Sequence, residues 1–432
     1  MIEPTAPFAA AIEYLYSLQK YGIKFGLSKT ENLLRDLGHP ERLGRHIHIG
    51  GTNGKGSVAA FLSSILRESG YRVGLFTSPH LVSFTERFQV NGRPISKEDV
   101  AELTHRIQQV ISDEEPPTFF EAVTAMAFCY FQQQETDVNI IEVGLGGRLD
   151  ATNVITPLLS IITNISLEHQ EFLGRTLREV AFEKAGIIKP GVPLVTGARQ
   201  KAVRELFQAA CLEKQAPFFR LGSDFWYRTT ASGLQFKGRR IQAENLKLSL
   251  SGRHQGRNAA LALAAAEILS KHGLPAARTR LRPALEKAEW PGRMHVVSRQ
   301  PLILLDGGHN PAALRALAES VRTDLVFDRL VLVLGIMADK DANSILKNIL
   351  PIADRVIYSR PVYERALDPN ILARKAGKWK IAGEVVTPLD AALNRARELA
   401  GPSDCILVTG SLFTVGEALG LLLPEDYPAD VS

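Results

Sequence analysis

The sequence contains only three cysteines, and it lacks a long apolar run. Cys129, Cys211 and Cys405 lie far apart without a C-x-x-C pair, which excludes a disulfide framework and a zinc site of the usual spacing. No apolar stretch of membrane-spanning length occurs, and the first 20 residues, which include Glu3 and Glu13, do not resemble a secretion signal. These absences predict a cytoplasmic protein that does not bind a membrane.

The sequence also has little excess charge. It carries 51 Lys and Arg against 46 Asp and Glu, a formal net charge of +5, although its pI is about 9.0. The charges are interspersed, and no basic run alternates with aromatic residues, so a nucleic-acid surface is not indicated. Because hydrophobic residues make up 45% and charged residues 22%, the chain has the composition of a globular protein.

Short β-rich runs alternate with helical periodicity along the first half of the chain. The predicted strands lie at 45–50, 73–77, 138–144 and 159–164, and the predicted helices at 54–69 and 119–134. The second of these helices carries Thr118 and Glu121 at capping-box spacing. This alternation predicts an α/β fold with a mostly parallel sheet.

The pattern changes twice further along. Residues 217–251 read as a small β excursion, and Ala-rich residues 257–270 as a helix. After Trp290-Pro291-Gly292-Arg293 the βα alternation resumes, with strands predicted at 302–305, 330–334, 355–358 and 405–408. With 432 residues, the sequence therefore predicts an N-terminal domain over 1–295 and a smaller α/β domain over 296–432.

The segment Gly51-Thr52-Asn53-Gly54-Lys55-Gly56-Ser57 follows a predicted strand and opens a predicted helix. Strand, glycine loop and helix N-terminus together present backbone N–H groups to phosphate, and Lys55 can reach the terminal phosphates. The loop departs from the usual Walker pattern, since Gly56 stands between Lys55 and the hydroxyl of Ser57. ATP is the predicted ligand, and a simple glycine-rich turn is the alternative.

Polar residues follow two further predicted strands. Glu142 ends the run Val138 to Val143, where an α/β sheet binds ligands, and its carboxylate suits Mg²⁺ beside phosphates. An ion pair between Glu142 and Arg148 is the alternative. His169 follows the run Leu159 to Asn164, and its spacing alone does not distinguish a ligand from an ordinary loop residue.

Two other segments are ambiguous by themselves. The local sequence Phe182-Glu183-Lys184-Ala185-Gly186 predicts that Lys184 is a surface helix lysine in a solvated ion pair. Asp306-Gly307-Gly308-His309-Asn310-Pro311 follows the apolar run Leu302 to Leu305 and again places polar groups at the end of a strand. A turn with an Asn-Pro break explains the second segment equally well.

Five segments in this order resemble the dihydrofolate synthase/folylpolyglutamate synthase family of Mur ligases. They are Gly51 to Ser57, Thr77-Ser78-Pro79-His80-Leu81, Glu142 to Asn153, Phe182 to Gly186, and Asp306 to Pro311. The resemblance implies a P-loop ATPase domain and a Rossmann-like domain, with the active site in the cleft between them. It also implies Mg²⁺-dependent phosphorylation of a pterin-linked carboxylate by ATP and attack of the glutamate amine on the acyl phosphate.

The resemblance also implies roles for individual residues. The implied nucleotide contacts are Thr52, Asn53, Gly54, Lys55, Gly56, Ser57, Asn258, Arg293 and Asp306. The implied ligands of two Mg²⁺ ions are Ser78, Glu142 and His169, and Lys184 matches the family's carbamylated lysine. The implied contacts for the pterin and glutamate substrates are Ile23, Lys24, Phe25, Thr118, Phe119, Phe120, Glu121, Leu149, His309 and Ser411. His309 is also predicted, with Lys55 and Lys184, to be catalytic.

Three questions stay open at this point. The segment Ile23 to Thr30 departs from the family's Gly-Leu-Glu-Arg run, which leaves the choice between dihydropteroate and reduced folates undecided. A cell-wall Mur ligase is an alternative, although no domain of about 100 residues for a sugar nucleotide precedes the P-loop. A nucleic-acid-binding P-loop ATPase is a second alternative, which the interspersed charges disfavour. We expect a monomer whose partners are small molecules only.

Overall fold

The structure, a computed structural model, describes residues 6–22, 26–112 and 115–430. The chain divides into two compact units. The first comprises residues up to 80 together with 84–249 and 256–289, and the second comprises 81–83, 250–255 and the chain from Trp290 onward. The division therefore falls at Glu289 and Trp290, whereas the boundary predicted at 295 and 296 lies inside a strand.

An eight-stranded sheet forms the centre of the first unit. Its strands are β1 (His46–Gly50), β2 (Val73–Phe76), β3 (Phe88–Val90), β4 (Arg93–Pro94), β5 (Val138–Glu142), β6 (Leu159–Ile162), β7 (Leu194–Thr196) and β8 (Phe218–Arg220). Their order is β4-β3-β2-β5-β1-β6-β7-β8. The pairs β2–β3 and β3–β4 are antiparallel and the others parallel, which confirms the predicted mostly parallel sheet and its four predicted strands.

Helices flank this sheet. They are α1 (Ala6–Ser17), α2 (Ser28–Asp36), α3 (Lys55–Glu68), α4 (Lys97–Gln108), α5 (Phe119–Gln133), α6 (Gln170–Leu173), α7 (Leu177–Ala185), α8 (Lys201–Glu213), α9 (His254–Leu269) and α10 (Leu281–Lys287). Short 3₁₀ helices lie at Leu18–Tyr21, Pro40–Arg42, Phe84–Arg87, Ala151–Val154, Ser270–His272 and Arg278–Arg280. The predicted helices at 54–69, 119–134 and 257–270 are α3, α5 and α9.

Helix α5 shows how the local sequence sets its position. The Thr118 hydroxyl accepts from the backbone N–H of Glu121, and the Glu121 carboxylate accepts from the N–H of Thr118, so the predicted capping box is present. Beyond this cap the helix is apolar on most sides, and Phe128 and Phe131 are fully buried in the core beneath the sheet. The cap therefore fixes where a central core helix begins.

A second, smaller sheet confirms the β excursion predicted in this unit. Its antiparallel strands are β9 (Trp226–Thr230), β10 (Gly233–Lys237) and β11 (Gln242–Leu246). One face of this sheet carries the buried side chains of Leu234, Phe236 and Leu246, and its other face is exposed. One buried face is the usual arrangement of a small antiparallel sheet.

The second unit contains a six-stranded sheet in the order β12-β13-β17-β14-β15-β16. Its strands are β12 (His295–Arg299), β13 (Leu302–Asp306), β14 (Leu330–Leu334), β15 (Arg355–Tyr358), β16 (Ala382–Val385) and β17 (Cys405–Thr409). Its helices are α11 (Pro311–Asp324), α12 (Ala342–Ile349), α13 (Pro369–Ala376), α14 (Leu389–Leu399) and α15 (Leu412–Leu422), with 3₁₀ helices at Leu350–Ile352 and Gly377–Trp379. Only β12 pairs antiparallel, and the four strands predicted here are confirmed.

The register of the large sheet gathers its functional segments at one edge. Ile49 of β1 is opposite Glu142 of β5, and Gly50 is opposite Ile162 of β6. The segments that follow β1, β5 and β6 therefore leave the sheet side by side, with β1 in the middle. Ligands of open α/β sheets bind at such an edge. Within the part of the chain that the structure describes, no helix is long and apolar enough to span a membrane.

Candidate active site

Two glycines give the loop between β1 and α3 its shape. Gly51 and Gly54 have φ values of 131° and 83°, which L side chains rarely adopt. A Cβ on Gly51 would collide with the Thr163 side chain, and one on Gly54 would lie 2.7 Å from Oδ1 of Asn258. The loop thus passes so close to both neighbours that only glycine fits at these positions.

The loop is braced by the segment after β6. The backbone N–H of Asn53 donates to Oδ1 of Asn164 at 3.2 Å, and Nδ2 of Asn164 donates to the Asn53 carbonyl at 2.6 Å. Thr163 Oγ1 donates to the same carbonyl at 2.8 Å, and the N–H of Thr52 donates to the Asn164 carbonyl at 2.9 Å. Thr163 and Asn164 were not among the predicted site residues. Their one signal in the sequence is a polar pair at the end of a buried strand.

Lys55, the first residue of α3, faces the end of β5. Its Nζ lies 3.7 Å from Oε1 of Glu142, and the two side chains are 16% and 7% exposed. Arg148 pairs with Glu183 instead, at 3.0 Å, so the predicted alternative in which Arg148 neutralises Glu142 is wrong. A cation and a carboxylate thus lie together beside a glycine loop, in an arrangement that can bind phosphate and a metal ion. Gly56 and Ser57 follow in the first turn of α3, where Ser57 is buried.

Lys184 lies on the last turn of α7 and is directed at the same loop. Its Nζ donates to the Gly51 carbonyl at 2.9 Å and is 2.7 Å from Oε1 of Glu168. Because its side chain is only 3% exposed, the surface lysine predicted from its local sequence is wrong. Burial lowers the pKa of Lys184, although Glu168 acts in the opposite direction. Burial raises the pKa of Glu168, but the charges of Lys184 and Lys55 outweigh it and bring that pKa down to about 2. Glu168 was not predicted, although it stands next to His169.

The three predicted metal ligands lie at or after the ends of β2, β5 and β6, and β1 lies between the last two of these strands. Phe76 at the end of β2 is opposite Ile141, which places Ser78 just beyond the end of β5 at Glu142. His169 precedes α6 in the left-handed conformation, with φ 44°. Among the described residues, no three His, Cys, Asp or Glu side chains cluster closely enough to hold a metal ion. A hydroxyl, one carboxylate and one imidazole fit Mg²⁺, which keeps several waters and shares substrate phosphates.

The predicted pterin contacts include an aromatic wall. The Phe119 ring stacks on Tyr16, with centroids 5.5 Å apart, and the guanidinium of Arg87 lies 5.3 Å from the Phe119 centroid. The Phe120 ring lies so close to the backbone that a Cβ on Gly144 would be 2.5 Å from its edge. Leu149 is half-buried in the loop after β5. Ile23, Lys24 and Phe25 lie outside the described residues.

A buried chain of hydrogen bonds orders the loop after β5. The Nε2–H of His48 donates to Thr152 Oγ1 at 2.9 Å, because that hydroxyl in turn donates to Oδ1 of Asp150 at 2.5 Å. The other Asp150 oxygen accepts from the N–H of Leu145 at 2.7 Å. Burial lowers the pKa of His48 to about 3 and raises that of Asp150. This chain of hydrogen bonds therefore contains a neutral imidazole at neutral pH.

In the second unit, Asp306 ends β13 and organises the backbone around it. Its Oδ2 accepts from the N–H of Met294 at 3.0 Å, and its Oδ1 accepts from the N–H of Gly308 at 2.8 Å. The guanidinium of Arg293 lies beside the turn, since a Cβ on Gly307 would be 3.0 Å from Arg293 Nη1. The two predicted nucleotide contacts Arg293 and Asp306 thus flank a single turn.

His309 and Ser411 lie after the neighbouring parallel strands β13 and β17. The Gly307 carbonyl can only accept, so Nδ1 of His309 donates to it at 2.9 Å, and a neutral ring carries its lone pair on Nε2. Ser411 is the N-cap of α15, where its Oγ accepts from the N–H of Thr414 at 2.9 Å. His309 is therefore held by the backbone through Nδ1, while the hydroxyl of Ser411 already has a structural role.

Two domain families match this chain: the Mur ligase middle domain over residues 49–266, and the Mur ligase glutamate ligase domain over residues 292–412. A dihydrofolate synthase/folylpolyglutamate synthase of Bacillus subtilis is 36% identical over 425 residues, covering 94% of this chain and 97% of that protein.

Solved structures agree with these matches. FolC of Escherichia coli in complex with DHPP and ADP has a TM-score of 0.90 and 31% identity, covering 98% of this chain and 99% of that one. The bifunctional folylpolyglutamate synthase/dihydrofolate synthase of Yersinia pestis, complexed with AMPPNP and a Mn ion, has a TM-score of 0.86 and 30% identity, covering 98% and 99%. With the P-loop, the Lys55–Glu142 pair and both Mur ligase domains in place, the chain belongs to the dihydrofolate synthase/folylpolyglutamate synthase family and is an ATP-dependent ligase.

Proposed function

We propose that this ligase joins L-glutamate to dihydropteroate, to folate glutamates, or to both, through an acyl phosphate. The names of its relatives support this substrate class. The observation that carries the chemistry is the placement of Lys55 beside Glu142 at the glycine loop, 3.7 Å apart and largely shielded from water. A carboxylate is a poor acylating agent, and phosphorylation gives it a leaving group.

The reaction has two balanced steps. A carboxylate oxygen of the pterin substrate bonds to the γ-phosphorus of ATP, the bond to the β-bridging oxygen breaks, and ADP leaves. The glutamate amine then bonds to the acyl carbon, phosphate leaves, and the nitrogen loses a proton. Lys55 stabilises the negative charge on the transferring group in the first step, and His309 accepts the proton through Nε2 in the second.

Ser78, Glu142 and His169 are the residues that would hold Mg²⁺, two ions being expected. Held by these residues, Mg²⁺ would supply positive charge beside the β- and γ-phosphates. The carboxylate of Glu142 also positions Lys55 through the contact between them. The loop residues Thr52, Asn53, Gly54, Gly56, Ser57 and the neighbouring Asn258 contact the nucleotide, as do Arg293 and Asp306.

Lys184 is proposed to carry a carbamate. Its amine nitrogen adds to CO₂ with loss of one proton, which requires the neutral amine, and burial favours that form by lowering the pKa. A carbamate replaces the buried positive charge by an anionic oxygen, which suits a site that receives a divalent cation. The alternative is a permanent ion pair with Glu168, as the 2.7 Å contact shows for the unmodified side chain.

The remaining proposed contacts concern the two acids being joined. The Phe119 and Phe120 wall, with Thr118, Glu121 and Leu149, suits a flat pterin ring, because aromatic faces stack on such rings. His309 and Ser411 are proposed to contact glutamate. We further propose a monomer in the cytoplasm that binds small molecules and neither nucleic acid nor membrane.

One assay tests the proposal directly. The full-length protein is given ATP, Mg²⁺ and L-glutamate with dihydropteroate in one arm and tetrahydrofolate in the other, and ADP, phosphate and amide product are quantified. We expect one ADP and one phosphate for each amide formed, in at least one arm. ADP formation without amide product in both arms would show that the acceptor class is wrong.

Two lysine variants control this assay. Lys55→Ala is expected to fold and to lose roughly 10²- to 10⁴-fold in ligation rate, because several kcal/mol of transition-state stabilisation disappear. Lys201→Ala removes an exposed lysine of α8 that pairs only loosely with Glu205, at 3.8 Å, and is expected to match wild type. Wild-type turnover by Lys55→Ala would show that the glycine loop does not bind the reacting phosphates.

A further inference from the structure

Arg257 lies one residue before Asn258 in the first turns of α9, and it points along the sheet edge. The Asn258 side chain faces Gly54 of the glycine loop. A Cβ on Gly197, which follows β7, would lie 2.6 Å from the Thr163 carbonyl oxygen and 3.5 Å from Cδ of Arg257. The stem of Arg257 therefore crosses the ends of β6 and β7, next to the loop that binds phosphate.

The small sheet holds α9 in this position. A Cβ on Gly256 would lie 3.1 Å from Cε2 of Tyr227 and 3.0 Å from Oγ1 of Thr229, both on β9. At Gly256 the backbone of the helix packs against side chains of β9. The Tyr227 ring therefore lies beside the start of the Arg257 side chain. Arg199, in the loop between β7 and α8, lies close enough for its charge to act on Arg257.

The side chain of Arg257 is half-buried. Nε of Arg257 is buried without a hydrogen bond, and neither Arg257 nor Arg199 forms a side-chain hydrogen bond or an ion pair with any residue in the described ranges. Burial lowers the pKa of Arg257, Tyr227 acts against this, and the like charge of Arg199 adds to the lowering. A partly desolvated, unpaired cation beside a second cation is costly, so these groups are arranged for a ligand that accepts hydrogen bonds.

The order of the strands indicates which part of a ligand reaches this place. β1 and its glycine loop lie between β5 on one side and β6 and β7 on the other. Glu142, at the end of β5, marks the side where phosphoryl transfer is proposed to occur. Because the Asn258 side chain faces Gly54 of this loop, its neighbour Arg257 lies on the β6 and β7 side, within reach of a nucleotide whose phosphates bind the loop.

We propose that Arg257, supported by Arg199 and Tyr227, contacts the base and ribose of bound ATP. A planar guanidinium stacks on aromatic rings and donates hydrogen bonds, which suits the ring nitrogens of a purine and the ribose oxygens. The inference rests on the proposed position of the triphosphate on the glycine loop.

Isothermal titration of the full-length protein with ATP and with tripolyphosphate tests this. Arg257→Gln is expected to weaken ATP binding about tenfold, because a desolvated cation–π or charged contact with the nucleoside is lost. Tripolyphosphate has no nucleoside, so its binding is expected to change less than about twofold. Arg199→Gln, at an exposed position, is expected to weaken ATP binding about threefold. Arg282→Gln removes an exposed arginine of α10 in the same unit and is expected to bind both ligands as wild type does.

Three results would overturn the inference. Unchanged ATP affinity in Arg257→Gln excludes the contact, and an equal loss for ATP and tripolyphosphate makes Arg257 a phosphate contact instead. If Arg257→Gln does not fold, unchanged ATP affinity in Arg199→Gln decides against the site. Lys55→Ala distinguishes failure of this inference from failure of the proposed function, because it should weaken the binding of both ATP and tripolyphosphate. If it weakens neither, the proposed position of the triphosphate is wrong.

Discussion

The ammonium of Lys184 donates a hydrogen bond to the carbonyl oxygen of Gly51, at 2.9 Å, and so joins the end of α7 to the first residue of the glycine loop. The two residues are far apart in sequence, and the contact is buried. Whatever Lys184 carries therefore lies directly beside the proposed reacting phosphates.

Gentle intact-mass and peptide analysis should find the mass of one CO₂ on Lys184, because its buried amine has a lowered pKa and lies where an anion is useful. Lys184→Ala should lose about 10²-fold or more in ligation and recover part of it with short carboxylates. Lys189→Ala is the matched control, since Lys189 is also partly buried but donates to the Asn153 carbonyl at 2.8 Å. An unmodified Lys184 whose Ala variant is not rescued would leave the ion pair with Glu168 as its role.

Gly54→Ala should weaken ATP binding at least tenfold. The substitution adds strain at φ 83° and places a methyl group 2.7 Å from Oδ1 of Asn258, so the loop and Asn258 must move apart. Gly70→Ala, at φ 95° with no atom within 4 Å of the new methyl group, should cost a similar strain of about 1 kcal/mol and leave ATP binding unchanged. Titration calorimetry measures the affinity and urea unfolding the stability. Equal ATP binding by the two variants would contradict the close fit of loop and Asn258.

His48 should make the protein less stable in mild acid. Its folded pKa of about 3 lies below its ordinary value of 6.5, so its contribution is complete above pH 6.5 and is lost as the pH falls toward 3. The unfolded chain binds the proton first, and the free energy of unfolding falls by up to about 1.4 kcal/mol per pH unit from this residue.

His48→Gln should reduce that slope, because glutamine does not titrate. Urea unfolding at several pH values between 7.5 and 4.5 measures it, with His105→Gln on the exposed face of α4 as the control. A slope that is identical in His48→Gln and wild type would show that the imidazole is not held neutral by burial.

The sheet and the phosphate loop follow from short-range patterns, and much of the site does not. Apolar runs and glycine placement predicted β1, β5 and the loop at Gly51 because those signals lie within a few residues. The burial of Lys184 did not follow, since Phe182-Glu183-Lys184 resembles a surface helix. Its interior position depends on contacts with Gly51 and Glu168, which lie outside that segment. Arg257 likewise has no local signal, because its surroundings come from the separate segments that carry Gly197 and Tyr227.

Replacing Ser411 distinguishes its role as a helix cap from a role in binding substrate. Its hydroxyl accepts from the N–H of Thr414 at 2.9 Å, so Ser411→Ala should cost about 1 kcal/mol of stability whatever else the residue does. Asp368→Ala is the matched control in the same unit, because Asp368 caps α13 through the N–H of Asn370, at 2.8 Å, and is not a predicted site residue. Both variants should lose similar stability in urea unfolding.

Only Ser411→Ala should raise the KM for glutamate, by about tenfold, if the hydroxyl also binds that substrate through a charge-assisted hydrogen bond worth about 1.4 kcal/mol. Steady-state ligation at varied glutamate, below the unfolding temperature of both variants, separates the two roles. A KM that is the same in Ser411→Ala, Asp368→Ala and wild type would assign Ser411 to the α15 cap alone. The glutamate contact would then have to come from other groups after β13 and β17, of which His309 is the first to replace.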